Sequence, residues 1–176
     1  MKLWLPLLVL LAGCATAPVT TMPSSTTSET TTTVATTSPR IDTPRKLAGA
    51  DPCRMLAAED FDQSLNGTPQ PYPDIPRSCA FRVGSGAETD LVVLVAFAEA
   101  YAKPGKALEM LIGDGHSAAT SCAGSADAME CTTLVAVNAT ESLKIIAHLR
   151  DGNADQVASI SQGYAAKAFE RVAVTS

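Results

Sequence analysis

The clearest alternation of apolar and polar side chains runs over residues 142–150. Every second residue there is apolar, and the residues between them are mostly polar, including His148. A period of two is typical of a β-strand with one face on a core and the other in solvent. An apolar segment at residues 132–137 precedes it, and residues 138–141 separate the two as a turn. The pattern therefore predicts a β-hairpin.

Two further strands are predicted earlier in the chain. Residues 91–97 form a continuous run of apolar and β-branched side chains without alternation. Such a run is typical of a strand that is covered on both faces, at the centre of a sheet. Residues 78–83, which begin beside Cys79, form the other predicted strand.

Helical periodicity is strongest over residues 154–172. One stripe of that helix collects the side chains of Val157, Ile160, Tyr164, Ala168 and Val172. The pattern predicts an amphipathic C-terminal helix. Gly163 interrupts it, at a cost of about 1 kcal/mol, and is expected to mark close packing on the sheet.

Two shorter helices are also expected. Asp51 and Pro52 are typical of a helix start, since aspartate accepts bonds from free N–H groups and proline needs no donor at the first position. That helix is predicted to end before Asn66. A second helix is predicted over residues 106–112. Its inward side chains would be those of Leu108, Leu111 and Ile112.

The order of these elements defines the expected fold class. Strands and helices are mixed, and the strands follow one another through short turns. This order favours an α+β sandwich of two or three layers, with a mainly antiparallel sheet and the C-terminal amphipathic helix.

The N-terminal residues carry the pattern of a bacterial lipoprotein signal. Lys2 precedes a short apolar run that ends in Leu11-Ala12-Gly13-Cys14. This lipobox predicts that residues 1–13 are a signal peptide and that Cys14 bears the lipid at the outer face of the cell membrane. The apolar run is too short to span a bilayer. An ordinary secreted protein with a cysteine near its cleavage site is the alternative.

Residues 14–46 are predicted to be a disordered stalk behind the lipidated cysteine. Threonine, serine and proline dominate this stretch, which has no apolar periodicity and so cannot offset the entropy of ordering. An O-glycosylated stalk and an unmodified spacer are both open interpretations. Residues 47–176 then form one globular domain of ordinary size.

The charge balance argues against two classes of partner. The formal net charge is −5, and no cluster of lysine and arginine appears. An acidic chain without a basic stripe argues against nucleic acid and against an anionic membrane surface as binding partners. The expected membrane contact is therefore the lipid on Cys14 alone.

Four cysteines remain once Cys14 is set aside: Cys53, Cys79, Cys122 and Cys131. Outside the cytoplasm they are expected to form disulfides, with three possible pairings. We favour nearest-neighbour pairing, which closes loops worth roughly 3.5 and 2.5 kcal/mol in the chain-entropy description. A metal cluster is disfavoured because the spacings contain no C-x-x-C.

Candidate chemistry is sparse, and the sequence predicts no catalytic residue, metal or cofactor. In Asp114-Gly115-His116-Ser117, His116 lies close in sequence to an acid and a hydroxyl. Residues of one turn seldom form a catalytic triad, which usually draws its side chains from separate segments. A surface turn is therefore the favoured interpretation. The acidic residues Glu59, Asp60 and Asp62 are expected at a solvated helix end. Tyr72, among prolines, is expected to pack its loop onto the core or to serve recognition, with packing favoured.

A short motif resembles a known family. The sequence Asp51-Pro52-Cys53, followed by Met55-Leu56, by Cys79 and by the aromatic Phe81, resembles the actinobacterial lipoproteins of domain-of-unknown-function family 3558. The resemblance covers most of residues 41–176, although many members carry tryptophan where this chain has Phe81. It implies a cell-envelope lipoprotein with a disulfide-stapled domain. A PsbP-like sandwich is the nearest architectural analogy, and it carries no function with it.

Together these features lead us to expect a cell-envelope lipoprotein whose domain binds an envelope protein or a small ligand without catalysis. One alternative is an envelope hydrolase or lipid-modifying enzyme that uses His116, and another is a purely structural or immunogenic surface component.

Overall fold

Nine strands and one α-helix make up the regular structure of residues 38–85, 91–125 and 127–175, which a computed structural model describes. These elements are β1 (Arg45–Lys46), β2 (Gln70–Pro71), β3 (Ser78–Val83), β4 (Leu91–Glu99), β5 (Leu108–Ile112), β6 (His116–Gly124), β7 (Ala128–Ala136), β8 (Glu141–Arg150), α1 (Ala154–Glu170) and β9 (Ala173–Val174).

The strands form one large sheet and one small one. The large sheet has seven antiparallel strands in the order β2-β3-β4-β8-β7-β6-β5, and β1 pairs with β9 in a two-stranded sheet. Helix α1 packs on one face of the large sheet, mainly against β7 and β8. The predicted α+β sandwich with a mainly antiparallel sheet and a C-terminal helix is therefore confirmed.

Strand β4 lies inside the sheet, between β3 and β8, as the unbroken apolar run predicts. Val93 and Val95 on the helix side are fully buried. Leu94 and Ala96, which point the other way, are only 7% and 1% exposed. Both faces of the strand are thus withdrawn from solvent, which explains why the sequence shows no alternation there.

The predicted hairpin is β7 and β8. Asn138 shapes its turn, because its side-chain oxygen accepts bonds from the N–H groups of Thr140 and Glu141, both at 2.9 Å. This is the use of asparagine that turn chemistry predicts. Strand β7 begins at Ala128, earlier than the apolar pattern indicates.

Helix α1 begins and ends close to the predicted residues. The side chain of Asn153 caps it by accepting a bond from the N–H of Gln156 at 2.9 Å. Phe169 is among its fully buried side chains. Gly163 is exposed, and an added Cβ there would meet nothing within 4 Å. The prediction that Gly163 marks close packing on the sheet is therefore wrong.

The predicted helix after Asp51 is also wrong. The chain forms two 3₁₀ turns instead, Pro52–Arg54 and Ala58–Asp60. Asp51 does cap the first turn, accepting a bond from the N–H of Cys53 at 2.9 Å. The side chain of Asp60 accepts a hydrogen bond from the N–H of Ala57 at 2.7 Å. Such a local bond to the backbone competes with the hydrogen bonds of an α-helix.

The helix predicted over residues 106–112 is strand β5. Gly113 and Gly115 both have positive φ, 60° and 112°, and close a tight hairpin from β5 into β6. Pairing with β6 therefore decides the conformation. Of the three side chains predicted to point inward, Ile112 is buried, whereas Leu108 and Leu111 are 66% and 53% exposed.

Residues 40–46, here called the strap, belong to the folded part. The N–H of Arg40 donates to the hydroxyl of Ser117 and the N–H of Ser117 donates to the carbonyl of Arg40, both at 2.8 Å. The N–H of Arg45 donates to the carbonyl of Val137 at 3.0 Å. The sequence placed these residues in the stalk, so the domain boundary expected at residue 47 lies too late.

Candidate functional site

Two disulfides staple the domain, in the favoured nearest-neighbour pairing. Cys53 is bonded to Cys79, and Cys122 to Cys131. The second pair bridges residues that stand directly opposite each other on β6 and β7. Disulfides are typical of proteins outside the cytoplasm. The predicted lipidation site, Cys14, lies outside the described residues.

His116, the candidate for the enzymatic alternative, is fully buried at the start of β6. Its Nδ1 lies 2.7 Å from the carbonyl oxygen of Ala136, and its Nε2 lies 3.0 Å from the carbonyl oxygen of Thr43 in the strap. The imidazole ring also packs on the ring of Phe169, with centroids 4.6 Å apart. Every edge of the ring is thus in contact with protein.

These contacts give His116 a structural role. A general base needs a ring nitrogen that can reach the proton it removes, and here both nitrogens face backbone carbonyls. The neighbouring Ser117 hydroxyl already accepts the N–H of Arg40. The prediction that His116 lies on a surface turn is wrong. No local signal in the sequence could have found this burial, because strand β6 is mostly alanine, serine, threonine and glycine and shows no apolar alternation.

Charged side chains surround His116 on the strap and on the β5–β6 turn. We call Arg40, Asp42, Arg45, Asp114 and His116 the His116 cluster. Asp114 Oδ1 lies 3.5 Å from the His116 Nε2, and 3.7 Å from the Arg45 guanidinium. The bond from Arg40 holds the pKa of Asp42 below its usual value. The pKa of Asp114 also lies below its usual value. Hydrogen bonds from the backbone N–H of Asp114 and from the Thr43 side chain outweigh the opposing effect of burial.

Arg45 joins the strap to the end of helix α1. Its guanidinium lies 4.6 Å from the centroid of the Phe169 ring and donates to the carbonyl of Val172 at 2.9 Å. A cation at a helix C-terminus is favourable because the last carbonyl groups have no partner within the helix. The cluster therefore fastens the strap to the body of the domain.

The acidic residues Glu59, Asp60 and Asp62 do not form an acid pair. Asp60 is engaged in an ion pair with Arg171 at 2.8 Å, and its side chain also accepts the N–H of Ala57. Glu59 and Asp62 are exposed. Asp60 thus ties the 3₁₀ turn to the end of α1, which is a structural role.

A concave surface of about 380 Å³ lies where the proline-rich loop meets the Cys53–Cys79 disulfide. We call it the Tyr72 groove. The loop contributes Pro71, Tyr72, Pro73, Ile75 and Pro76, and the facing wall contributes Asp51, Pro52 and Cys53. Tyr72 is half-buried. It therefore both packs against the domain and forms part of the groove wall.

The loop that forms the groove is held firmly. The Ser78 hydroxyl donates to the carbonyl of Ile75 at 2.5 Å and lies 3.3 Å from that of Tyr72. Arg77 has a φ of 53°, in the left-handed region that non-glycine residues rarely adopt. Its carbonyl accepts the N–H of Phe97 at 3.0 Å, and its guanidinium lies 5.3 Å from the Phe97 ring centroid. The groove is thus formed in advance of any ligand.

The charged residues at the groove have partners of opposite sign. Arg77 lies 3.4 Å from Glu141, and Asp51 lies 3.7 Å from Arg54. Burial alone would raise the pKa of Glu141, but bonds from Asn138, the N–H of Leu47 and Arg77 outweigh it, so the pKa lies below its usual value. An uncharged ligand with apolar groups suits this lining best.

Within the part of the chain that the structure describes, no group of three or more histidine, cysteine, aspartate or glutamate side chains is placed to hold a metal ion. Among the same residues, no helix is both long enough and apolar enough to cross a membrane.

The fold and the site define the class of this chain as a disulfide-bonded α+β sandwich with a preformed, mainly apolar groove. No protein-family model, curated protein or solved structure matches the sequence or the fold. The resemblance to family 3558 and the PsbP-like analogy therefore stay predictions.

Proposed function

We propose that this chain is a cell-envelope lipoprotein of family 3558, anchored through lipid on Cys14. Its domain would bind another envelope component in the Tyr72 groove without catalysis. The anchor rests on the lipobox, and the two disulfides fit an oxidising compartment. The binding role rests on the groove itself.

The observation that carries the binding role is the rigidity of the groove. Its walls include four prolines, a half-buried tyrosine and one end of a disulfide, all of which lose little conformational freedom when a ligand binds. Because a preorganised groove loses little entropy on binding, a ligand can bind it well through a modest contact area. The neutral, apolar lining favours an extended polypeptide segment with proline or aromatic side chains, the chemistry that aromatic- and proline-lined grooves recognise.

In-cell photo-crosslinking tests this role. A photoreactive phenylalanine analogue replaces Tyr72 in the full chain, and the matched control carries it at Tyr101, another half-buried tyrosine, which lies in the β4–β5 connection. We expect a discrete adduct from position 72, lost when Ile75 in the same groove is changed to aspartate, and none from position 101. Equal labelling from both positions would contradict a specific groove.

The anchor is tested separately. Cells fed a fatty-acid probe should label the wild-type chain and not Cys14→Ser. Release of unlabelled wild-type protein into the medium would remove the lipoprotein assignment, while leaving the groove proposal standing.

A further inference from the structure

The two disulfides differ in how far solvent reaches them. Cys122 is exposed, whereas its partner Cys131 is fully buried. In the other bond Cys79 is fully buried, and Cys53 is only partly exposed. A disulfide is opened by a thiolate that attacks one of its sulfurs, so the rate depends on access to that sulfur. Of the four bonded cysteines, Cys122 is thus the one that an incoming thiolate reaches most easily.

The surroundings of Cys122 leave room for such an approach. The next three residues, Ala123, Gly124 and Ser125, are exposed and have small, uncharged side chains or none. The sulfurs of Cys122 and Cys131 lie 3.7 and 3.6 Å from the carbonyl oxygen of Ala154, at the start of α1. The bond is therefore backed by the helix but open beside Cys122.

The buried partner is placed to act as the leaving group. Cys131 belongs to a small apolar cluster with Ala147 and Val157. Attack on a disulfide proceeds in line, so a thiolate that reaches the Cys122 sulfur from solvent expels the sulfur of Cys131 toward the protein. The two cysteines thus have different positions for the two roles in exchange.

Opening this bond leaves the fold in place. Strands β6 and β7 are joined by seven residue pairs, and the bonded pair is only one of them. The bond closes a loop of 9 residues, against 26 for Cys53–Cys79, and a shorter loop stabilises the fold less. Cys53–Cys79, in contrast, ties a 3₁₀ turn to β3. Of the two, Cys122–Cys131 is the bond that can open and close again within the folded domain.

From these observations we infer that Cys122–Cys131 is a thiol–disulfide exchange site whose substrate is a protein dithiol. A thiolate of the dithiol attacks the Cys122 sulfur, forms a mixed disulfide and expels Cys131, which takes up a proton. The second thiol of the dithiol loses its proton, attacks its own partner sulfur in the mixed disulfide and releases Cys122. The domain gains two electrons and two protons, and the dithiol becomes a disulfide. The inference is independent of the Tyr72 groove.

The fold favours a dithiol over a single thiol as the substrate. The backbone pairing keeps Cys131 directly opposite Cys122 after the first attack. Cys131 can therefore attack the mixed disulfide and expel a single thiol again. A dithiol completes the exchange because its second thiol is tethered as closely to the mixed disulfide as Cys131 is.

Selective reduction tests the inference. The full chain is isolated from cell envelopes, its free thiols are blocked, and it is treated with dithiothreitol at low concentration. Maleimide labelling and mass spectrometry of peptides then locate the opened cysteines. We expect Cys122 and Cys131 to be labelled at least about tenfold faster than Cys53 and Cys79, and about tenfold slower with glutathione at equal thiol concentration. Equal rates for the two bonds, or equal rates for the two reductants, would overturn the inference.

A matched pair of variants tests the two assigned roles. Cys131→Ser leaves Cys122 as a free thiol, and Cys122→Ser leaves Cys131. In the folded full chain, Cys131→Ser should react with an aromatic disulfide reagent at least about tenfold faster than Cys122→Ser. The same rate for both variants would show that the assignment of attacked and leaving sulfur is wrong.

His116→Phe distinguishes opening in the folded state from opening by unfolding, and it leaves all four cysteines in place. This variant is expected to lower the stability of the domain. If the Cys122–Cys131 bond opens in the folded state, its rate of reduction should match the wild type. If it opened only on unfolding, its rate would rise at least about fivefold, together with that of Cys53–Cys79. Such a joint rise would overturn the inference.

Discussion

The His116 cluster and the Tyr72 groove contrast in where they place their chemical groups. The cluster contains a histidine, two carboxylates and two guanidinium groups, yet its histidine is sealed from solvent. The groove is open, but its walls are mainly proline, tyrosine and isoleucine side chains. In this chain the reactive side chains fasten the strap, whereas the accessible concave surface is built from rigid apolar groups.

Glu141 connects the two regions. Its Oε1 lies 3.4 Å from Arg77 beside the groove, and its Oε2 accepts bonds from the N–H of Leu47 and from Asn138, at 3.1 and 2.9 Å. Leu47 directly follows the strap, and Asn138 donates to the carbonyl of Arg45 within it. This carboxylate thus lies between the two regions and has hydrogen-bond partners on both sides.

Removal of the strap should have the largest effect. A chain that begins at residue 47 loses the partners of His116 Nε2, of the Val137 carbonyl and of the Asn138 amide. Because each unsatisfied buried group costs about 1 to 3 kcal/mol, we expect a loss of about 3 to 9 kcal/mol in the free energy of unfolding. Urea unfolding of residues 38–176 and 47–176 makes the comparison. Equal stability would show that the strap is only an extension of the stalk.

Removal of either disulfide should lower the stability of the domain, but only removal of Cys53–Cys79 should also disturb the groove. Replacing Cys53 and Cys79 by alanine removes a cross-link over 26 residues, at a cost of about 3.5 kcal/mol, and frees one wall of the groove. Replacing Cys122 and Cys131 removes a cross-link over 9 residues, at a cost of about 2.5 kcal/mol, and leaves the groove intact. Denaturant unfolding measures the loss of stability in each variant. The yield of the position-72 photo-adduct measures whether the groove is still formed. Loss of the adduct in both variants would contradict the local role.

Substitutions at His116 and Tyr72 should differ in how much stability they remove. His116→Phe fills the space but removes the ring N–H donor, which leaves a buried backbone carbonyl without its partner, so we expect a loss of about 1 to 3 kcal/mol in unfolding free energy. Tyr72→Ala should cost less than about 1 kcal/mol, since the side chain is half exposed. Chemical denaturation of both variants checks the order. The reverse order would contradict the division of roles between the two regions.

The smallest expected effect concerns acid. The pKa of Glu141 is lowered in the folded protein, so this group stabilises the fold above its unfolded pKa and loses that contribution as pH falls. Glu141→Gln should therefore flatten the decline in stability between about pH 5 and pH 3, by less than about 1 kcal/mol because the side chain is partly exposed. Unfolding curves across that range measure it. A steeper decline in the variant would reverse the assigned sign.

The central strands and the C-terminal helix were predictable because their side-chain patterns are dense. Strands β3 and β4, the hairpin and α1 each show an apolar period or run that only one element satisfies. Strand β6 has none, since it is mostly alanine, serine, threonine and glycine. It is a strand because β5 and β7 pair with it on either side, which is long-range information that no local window contains.

The candidate site was predictable only in part. Tyr72 among prolines is a visible signal, and the structure places it in the groove wall. The burial of His116 was not visible, because it depends on Thr43, 73 residues away, and on Phe169 of the helix. The strap was missed for the same reason. Its polar residues have a disordered composition, and they are ordered by backbone bonds to β6 and β9.

The accessibility of the two histidines tests the central claim most directly. The chain contains only His116 and His148, and His148 lies partly exposed on β8, so it serves as an internal control. Diethylpyrocarbonate modifies accessible imidazole nitrogens, and mass spectrometry locates the modification in the folded protein. We predict that His148 is modified while His116 remains intact until the protein unfolds. Modification of His116 at the rate of His148 would mean that the cluster is open to solvent, and that the enzymatic interpretation must be taken up again.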